Sequence, residues 1–326
     1  MSEKENSQKR FEVVCVGNMV TDILIKGVKD DVMDHVEMMT EGVRLHTGGD
    51  ALNEAVTCSR LGLRTALVGN LGADFFGGYV EQVLKQENIH TEGISFFSDC
   101  PTAVNVALIG DGGKRCILTA PITNMNRMEL TSRGMDVVKE AGIVCFGSLF
   151  ISASLNAEMV QSIYREAQRS GALTVADVSF RDPTEWEDKN LYDWIDGVDY
   201  FVPSYEEGCR ITGLDDPEAI VKALLPHVRR AVVLKVGKDG CIGCETDGEL
   251  FRTPAYLVDA IDTTGAGDNF VAGFLWGLAK GHSLKECCAC ACAVGGLSTT
   301  AVGANGAIKN EAQVLEFMSA WENRQQ

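Results

Sequence analysis

The stretch Asp262-Thr-Thr-Gly-Ala-Gly-Asp268 places two chemically useful features side by side. Gly265, Ala266 and Gly267 have no side chain large enough to cover their backbone N–H groups. The apolar residues that follow, Phe-Val-Ala-Gly-Phe-Leu, predict a helix over 267–280 that starts at this turn. Uncovered N–H groups and the positive end of a helix dipole together make an anion site. Charge that builds up on a phosphoryl group in transfer would be stabilised there. Asp268 falls in the first helical turn. An aspartate in that place can simply complement the dipole or cap the helix. Beside an anion site it can also take the proton of an attacking hydroxyl, a contribution of about 10²–10⁴ in rate.

A second segment lies more than 200 residues earlier: Gly48-Gly49-Asp50-Ala51-Leu52-Asn53-Glu54-Ala55, followed by Gly62 and Gly72. Glycines let a backbone approach a ligand closely, and a carboxamide both gives and accepts hydrogen bonds to hydroxyls. This segment resembles the first signature of the PfkB, or ribokinase-like, carbohydrate kinases. The Asp262–Asp268 stretch, with Ala-Gly-Phe-Leu after it, resembles their second. The two stand in the family's order, and the resemblance runs from the strand at Phe11 to Gly306.

The resemblance implies ATP, Mg²⁺ and a monovalent cation, K⁺. It makes Asp268 the catalytic base and Gly265, Ala266 and Gly267 the anion hole. Asp22, in Gly17-Asn18-Met-Val-Thr-Asp22, matches the aspartate that holds sugar hydroxyls, with Asn18 beside it. Gly48, Gly49 and Asn53 match the glycine pair and asparagine against the sugar. Without the resemblance, Asp22 reads as a solvated loop carboxylate and Asn53 as a helix-start residue. Pro203-Ser204-Tyr-Glu-Glu207 resembles the family's Asn-x-x-Glu motif, with Ser204 in place of asparagine and Glu207 reaching Mg²⁺ through water. Gly237-Lys-Asp-Gly240 resembles the nucleotide-facing turn after a strand, and Lys235 and Cys292 are carried to the nucleotide with it. Asp262 and Thr264 match the start of the monovalent-cation loop, completed by Ser298, Ala301 and Gly303. Asp177-Val-Ser-Phe-Arg181 resembles a segment of fructokinase-like and ketodeoxygluconate-kinase-like members, with Ser179 in place of asparagine. Arg181 and Arg115 together would suit an acceptor carrying a carboxylate or phosphate, which a guanidinium binds with two bonds. Both also read as surface or structural arginines.

These residues need a frame. Apolar runs predict strands at 11–17, 65–69, 143–146, 173–177, 199–202 and 231–236. Helical patterns fall at 48–61, 76–88, 155–170, 216–229, 283–300 and 310–322. This alternation argues an α/β fold: a doubly wound, mostly parallel sheet with helices on both faces, as the ribokinase-like resemblance also implies. In such a sheet, ligands bind at the carboxyl ends of the strands. Two stretches have no place in it. Residues 20–47 read as short strands and loops, and 101–120 as a β-hairpin around Asp-Gly-Gly. Pairing of the two would make a small β-sheet lid. The expected division is 1–19, 48–98 and 121–326 for the large nucleotide- and substrate-binding domain, and 20–47 with 99–120 for the lid.

Composition bounds the partners. The 326 residues carry a net charge of -17, which repels nucleic acid and anionic lipid. No signal-peptide pattern and no apolar run of membrane-spanning length is present, so a cytoplasmic protein is expected. Twelve cysteines in such a chain read as reduced and buried. Cys241 and Cys244 form a lone C-x-x-C without the second pair of a zinc site. Cys287, Cys288, Cys290 and Cys292 are expected to scatter around a helix axis as small core residues. The leading expectation is a kinase for a hexose, keto-sugar or sugar acid. A nucleoside kinase of the same fold and a non-catalytic sugar- or nucleotide-binding protein are the alternatives. Lids of this family often pair between subunits, so a homodimer is expected.

Overall fold

The computed structural model describes residues 9–110, 114–152, 154–180 and 190–325. Arg181 therefore lies outside the described residues. Among the described residues nine strands build the large sheet: β1 (Phe11–Val16), β4 (Thr65–Gly72), β5 (His90–Phe97), β8 (Ala141–Leu149), β9 (Leu173–Val178), β10 (Val198–Phe201), β11 (Val228–Lys235), β12 (Cys241–Glu245) and β13 (Phe251–Thr253). Their order is β13-β12-β11-β10-β9-β8-β1-β4-β5. All pairs from β5 to β11 are parallel, and the two pairs at the other edge, β11–β12 and β12–β13, are antiparallel.

Side chains alternate between the two faces of each strand, so both faces bury apolar groups. Val13, Cys15, Ile143 and Cys145 enter one core, and Val14, Val16, Val144 and Phe146 enter the other. The first core is covered by α1 (Asp50–Arg60), α2 (Phe75–Gln86), α7 (Ala266–Ala279), α8 (Leu284–Ser298) and α9 (Glu311–Gln325). The second is covered by α3 (Ser132–Lys139), α4 (Ala157–Arg169), α5 (Tyr205–Thr212) and α6 (Pro217–Leu224). Helix α7 is apolar all round because it is buried on all sides, from Asn269 to Ala279.

Several elements depart from the sequence reading. Strand β5, helices α3 and α5, and the β12–β13 edge were not expected. The helix expected over 216–229 stops at Leu224, where Pro226 enters a short 3₁₀ turn and cannot continue the ladder. The cysteine expectation also needs correction. Cys288 and Cys292 are one turn apart on α8 and both face Cys241 of β12; the Cys292 and Cys241 sulfurs lie 3.8 Å apart. All twelve cysteines are free and ten are buried, so they do read as core thiols.

The second sheet has the order β3-β2-β6-β7, from β2 (Val20–Lys26), β3 (Gly42–Gly48), β6 (Val104–Ile109) and β7 (Arg115–Thr119). The early region and the later hairpin thus pair, through parallel β2 and β6. Register sorts the residues by face. One face carries three rows: His46, Asp22, Asn105 and Thr119; then Arg44, Leu24, Ala107 and Ile117; then Lys26, Ile109 and Arg115. The opposite face is nearly all apolar, with Ile23, Ile25, Val43, Val106, Leu108 and Leu118.

Candidate active site

A cleft of about 950 Å³ opens between the three-row face of the small sheet and the ends of α1 and α7. The chain is forced into place at both helix starts. Gly49 precedes α1 at φ 103°, and a Cβ there would stand 2.4 Å from the Asn18 carbonyl oxygen. A Cβ on Gly48 would stand 2.2 Å from the Asp22 carboxylate. That space is what allows Asp22 of β2 to lie over the Gly48–Gly49 turn. Gly265 precedes α7 at φ 74°, and a Cβ there would meet Ala304 at 2.3 Å. Only glycine fits such a left-handed, crowded position.

Asp268 sits three residues beyond Gly265, in the cleft wall. Its Oδ2 accepts a 2.7 Å hydrogen bond from Nδ2 of Asn53, whose Oδ1 accepts from Asn305 at 2.9 Å. Asn53, assigned to the sugar by resemblance, is thus committed on both ends of its carboxamide to fixing the Asp268 carboxylate. Asn269 fastens the turn itself, donating to the carbonyls of Gly265 (2.8 Å) and Ala304 (2.7 Å). Asn305 lies outside the two signatures, and Asn269 stands inside the second at a position to which the sequence assigned no role. Burial pushes the Asp268 carboxyl above its ordinary value, and the Asn53 bond and Lys235 pull it partly back.

Asp22 is held through Oδ1 by Asn105 at 2.9 Å, and burial raises its carboxyl as well. Asn18 lines the same wall. Arg115 extends from the far row to Thr264, with Nη1 3.4 Å from the hydroxyl. Thr264 and Asp262 form one knot: Asp262 Oδ1 accepts from the Thr264 N–H (3.0 Å) and hydroxyl (2.7 Å), and Oδ2 from the Gly303 N–H (2.9 Å). Against the penalty of burial, these donors keep the Asp262 carboxyl below its ordinary value. The two stretches matched to the cation loop, 262–264 and 298–303, therefore lie together.

These positions follow the order and spacing of one family along most of the chain, and the family model of the pfkB carbohydrate kinases matches residues 10–311. The chain belongs to the pfkB family. It is a kinase whose acceptor is an alcohol group. Probable fructokinase-5 of Arabidopsis thaliana is 30% identical over 288 residues, 84% of this chain and 88% of that one. Among solved structures, Arabidopsis thaliana ribokinase complexed with ribose and ATP superposes with a TM-score of 0.81 at 21% identity, covering 94% of this chain and 98% of that one. A putative ribokinase II of E. coli in complex with ATP and Mg²⁺ superposes with a TM-score of 0.79 at 19% identity, covering 95% and 99%. The fold is ribokinase-like.

On the side of Asp268 away from the small sheet, this pfkB kinase gathers carboxylates around one cation. Lys235, at the end of β11, donates to Asp177 Oδ1 at 2.7 Å; Asp177 is buried and the Lys235 side chain is 11% exposed. Burial pushes Asp177 up to about 6 although Lys235 pulls it down. Glu207 is pushed up to about 7, by burial first and by Asp177, again with Lys235 opposing. Lys235 itself is held above its ordinary value by Asp177 and Glu207 against burial. Ser204 and Glu207 cap α5 reciprocally: Glu207 Oε2 accepts from the Ser204 N–H at 2.6 Å, and the Ser204 hydroxyl from the Glu207 N–H at 3.3 Å. Serine in place of asparagine thus has a local structural reason, the capping box. Gly237 and Gly240 bound the turn between β11 and β12. Cys292, 4% exposed, packs beneath it against Cys241.

Proposed function

We propose that this chain moves the terminal phosphoryl group of ATP to a hydroxyl of a carbohydrate acceptor, a hexose, keto-sugar or sugar acid, with Asp268 as the general base. The observation that carries the reading is the pairing of Asp268 with Asn53 at the mouth of α7. A carboxyl group fixed by that bond faces the cleft beside a helix start whose first N–H groups have no helical acceptor. Gly265, Ala266 and Gly267 offer that start to a developing negative charge. Asp22, Asn18 and the Gly48–Gly49 turn orient the acceptor's other hydroxyls, with the small sheet as a lid.

Bound ATP would lie along Lys235, the Gly237–Gly240 turn and Cys292, and Mg²⁺ would neutralise part of its phosphate charge. The donor set suits a hard cation: Glu207, Asp177 and Asp268 are all oxygen ligands. Among the described residues no group of three or more carboxylates, histidines or cysteines is arranged to hold a metal alone. K⁺ is proposed at the loop pair carrying Asp262, Thr264, Ser298, Ala301 and Gly303, which the Asp262 carboxylate ties together.

The test is ADP release from ATP and Mg²⁺, with and without K⁺, across ketoses, aldoses, sugar acids, sugar phosphates and nucleosides. Turnover confined to carbohydrate acceptors and dependent on Asp268 is the expected result. A nucleoside as best acceptor would select the alternative kinase. Its base would face the aliphatic row Leu24, Ala107 and Ile117, which offers no aromatic ring for stacking. Binding of sugar and nucleotide with no turnover on any acceptor would leave a binding protein.

The apolar outer face of the small sheet is proposed to pair with a second copy of the chain. Val43 and Leu118 there are 64% and 54% exposed, more than an isolated subunit gains from leaving in water. Val106→Asp is expected to convert a dimer to a monomer in analytical ultracentrifugation; a wild-type monomer at micromolar concentration would refute the pairing. Among the described residues no helix is long and apolar enough to cross a membrane, which suits the proposed cytoplasmic site of action.

A further inference from the structure

The kinase reading gives no role to one carboxyl group of the cleft wall, Asp50. Asp50 is the first residue of α1, directly after the crowded Gly49. Its Oδ2 is buried and has no hydrogen-bond partner among the described residues. The charged groups closest in influence are Asp268, Asp177 and Glu207, with Lys235 the one cation among them. Lys235 is already bonded to Asp177. An unsatisfied buried polar group is costly, and in a binding cleft it is commonly satisfied by the ligand. Burial, and after it the charge of Asp268, hold the Asp50 carboxyl well above its ordinary value. A protonated carboxyl both donates and accepts a hydrogen bond, and so does a hydroxyl.

The surroundings narrow the ligand further. The inner end of the cleft presents Asn18, Asp22, Asp50, Asn53, Asn105 and Asp268: three carboxyl groups and three carboxamides. Of the basic side chains that line the cleft, Arg60 is committed to Glu87, and His46 stands in the row of Asp22. Lys26 and Arg115 belong to the outermost row of the small sheet, beyond the aliphatic row of Leu24, Ala107 and Ile117. Lys26 stands four residue steps from Asp22 along β2, roughly 13 Å in an extended strand. Among the described residues, an anionic group seated beside Asp50 would therefore meet carboxyl groups, with Lys235, already bonded to Asp177, as the one cation acting there.

We propose that Asp50 is the specificity-determining residue of the acceptor site, pairing with a second hydroxyl of the same molecule that gives its first hydroxyl to Asp268. The proposal rests on the kinase reading and narrows it. The acceptor is a neutral polyol with a free hydroxyl at the Asp50 position. Deoxy analogues lacking that hydroxyl, and acceptors carrying a carboxylate or phosphate in its place, are rejected. A site built around a substrate hydroxyl discriminates strongly against the analogue without it, because the site's own polar group is then left unpaired.

The experiment measures acceptor binding by titration calorimetry and turnover by ADP release, as separate readouts. Wild type, Asp50→Ala and Asp50→Asn are compared on the best polyol of the panel and on each of its monodeoxy analogues. Asp50→Ala is expected to weaken binding of the full polyol by about 10- to 100-fold. One deoxy analogue should bind wild type weaker by a similar factor and lose little more in Asp50→Ala. Asp50→Asn, which can still donate and accept, should keep most of the affinity. It also guards against an alanine variant that fails to fold, which the thermal unfolding midpoint would reveal. Losses that simply multiply for every deoxy analogue would overturn the proposal, as would an acidic or phosphorylated sugar binding best. Coupling without any turnover would leave Asp50 as an acceptor contact and remove the kinase reading instead. Turnover without coupling would do the reverse. A protein that binds no polyol at all would overturn the proposal together with that reading.

Discussion

Asp268→Asn should lower turnover by about 10²–10⁴-fold while nucleotide binding stays close to that of the wild type. The amide has the shape of the carboxylate and can still accept from Asn53, so the wall of the cleft is preserved. What is lost is the capacity to hold the acceptor's proton. A loss of kcat that no rise in pH repairs is therefore the expected pattern. The wild type should lose activity toward low pH as the base becomes protonated, and its acid limb should lie above the ordinary aspartate range because burial raises Asp268. Asn53 offers a second reading of the same limb. Its bond favours the ionised carboxylate. Asn53→Ala should then move the limb to higher pH, with kcat reduced at neutral pH and partly recovered above it. A purely structural asparagine would lower kcat equally at all pH values and leave the limb in place. Near-normal turnover in Asp268→Asn would remove it from the mechanism altogether.

The two signatures were legible because each encodes a backbone that only glycine can follow. The turn at Gly48–Gly49 and the turn at Gly265 are crowded within 2.4 Å of their neighbours, so the residue type at those positions is fixed by sterics and readable without a structure. The parallel sheet was legible for a similar reason: β1, β4, β8 and β9 are buried on both faces and read as continuous apolar runs. The small sheet was less so. Strand β3 is largely exposed, and its run Gly-Val-Arg-Leu-His-Thr-Gly carries little hydrophobic signal. Its place comes from pairing with β2, which is a tertiary fact. The same limit hid the supporting shell. Asn305 lies 252 residues from Asn53 along the chain, and Asn269 is linked to Thr57 from 212 residues away. A single asparagine in a sequence does not announce which distant group it will hold. Cys288 and Cys292 are a different case: their one-turn spacing is in plain view, but Cys241, the partner that gives that face a meaning, sits on a five-residue strand whose pairing is a tertiary fact.

Lys235→Met should be the most destabilising of the substitutions considered, and its effect should depend on pH in a direction fixed by the carboxylates around it. The lysine is 11% and Asp177 4% exposed at the side chain, and their bond is 2.7 Å. Removing one partner of a buried ion pair typically costs about 3–5 kcal/mol because the other charge is left uncompensated. Here the remaining charge can be discharged by a proton. Asp177 and Glu207 already bind protons more readily in the folded chain than their ordinary values allow, at about 6 and about 7. Between the ordinary carboxylate range and pH 7 the folded state thus holds more protons than the unfolded state. Stability must then fall as pH rises through that window and level off above it. Asp262 and Asp74, held below their ordinary values, act oppositely and only at lower pH, where their protonation removes stability. The wild type should therefore unfold at a higher temperature near pH 5 than at pH 8, in magnesium-free buffer. In Lys235→Met the charge that pulls Asp177 and Glu207 down is gone, so both bind protons more tightly still. The variant should be least stable at pH 8 and recover part of the loss near pH 5, with a steeper slope than the wild type. Thermal unfolding at the two pH values decides the matter. An equal loss at both would mean that the packing of the lysine stem, and not the carboxylates gathered around its ammonium, accounts for the residue's contribution.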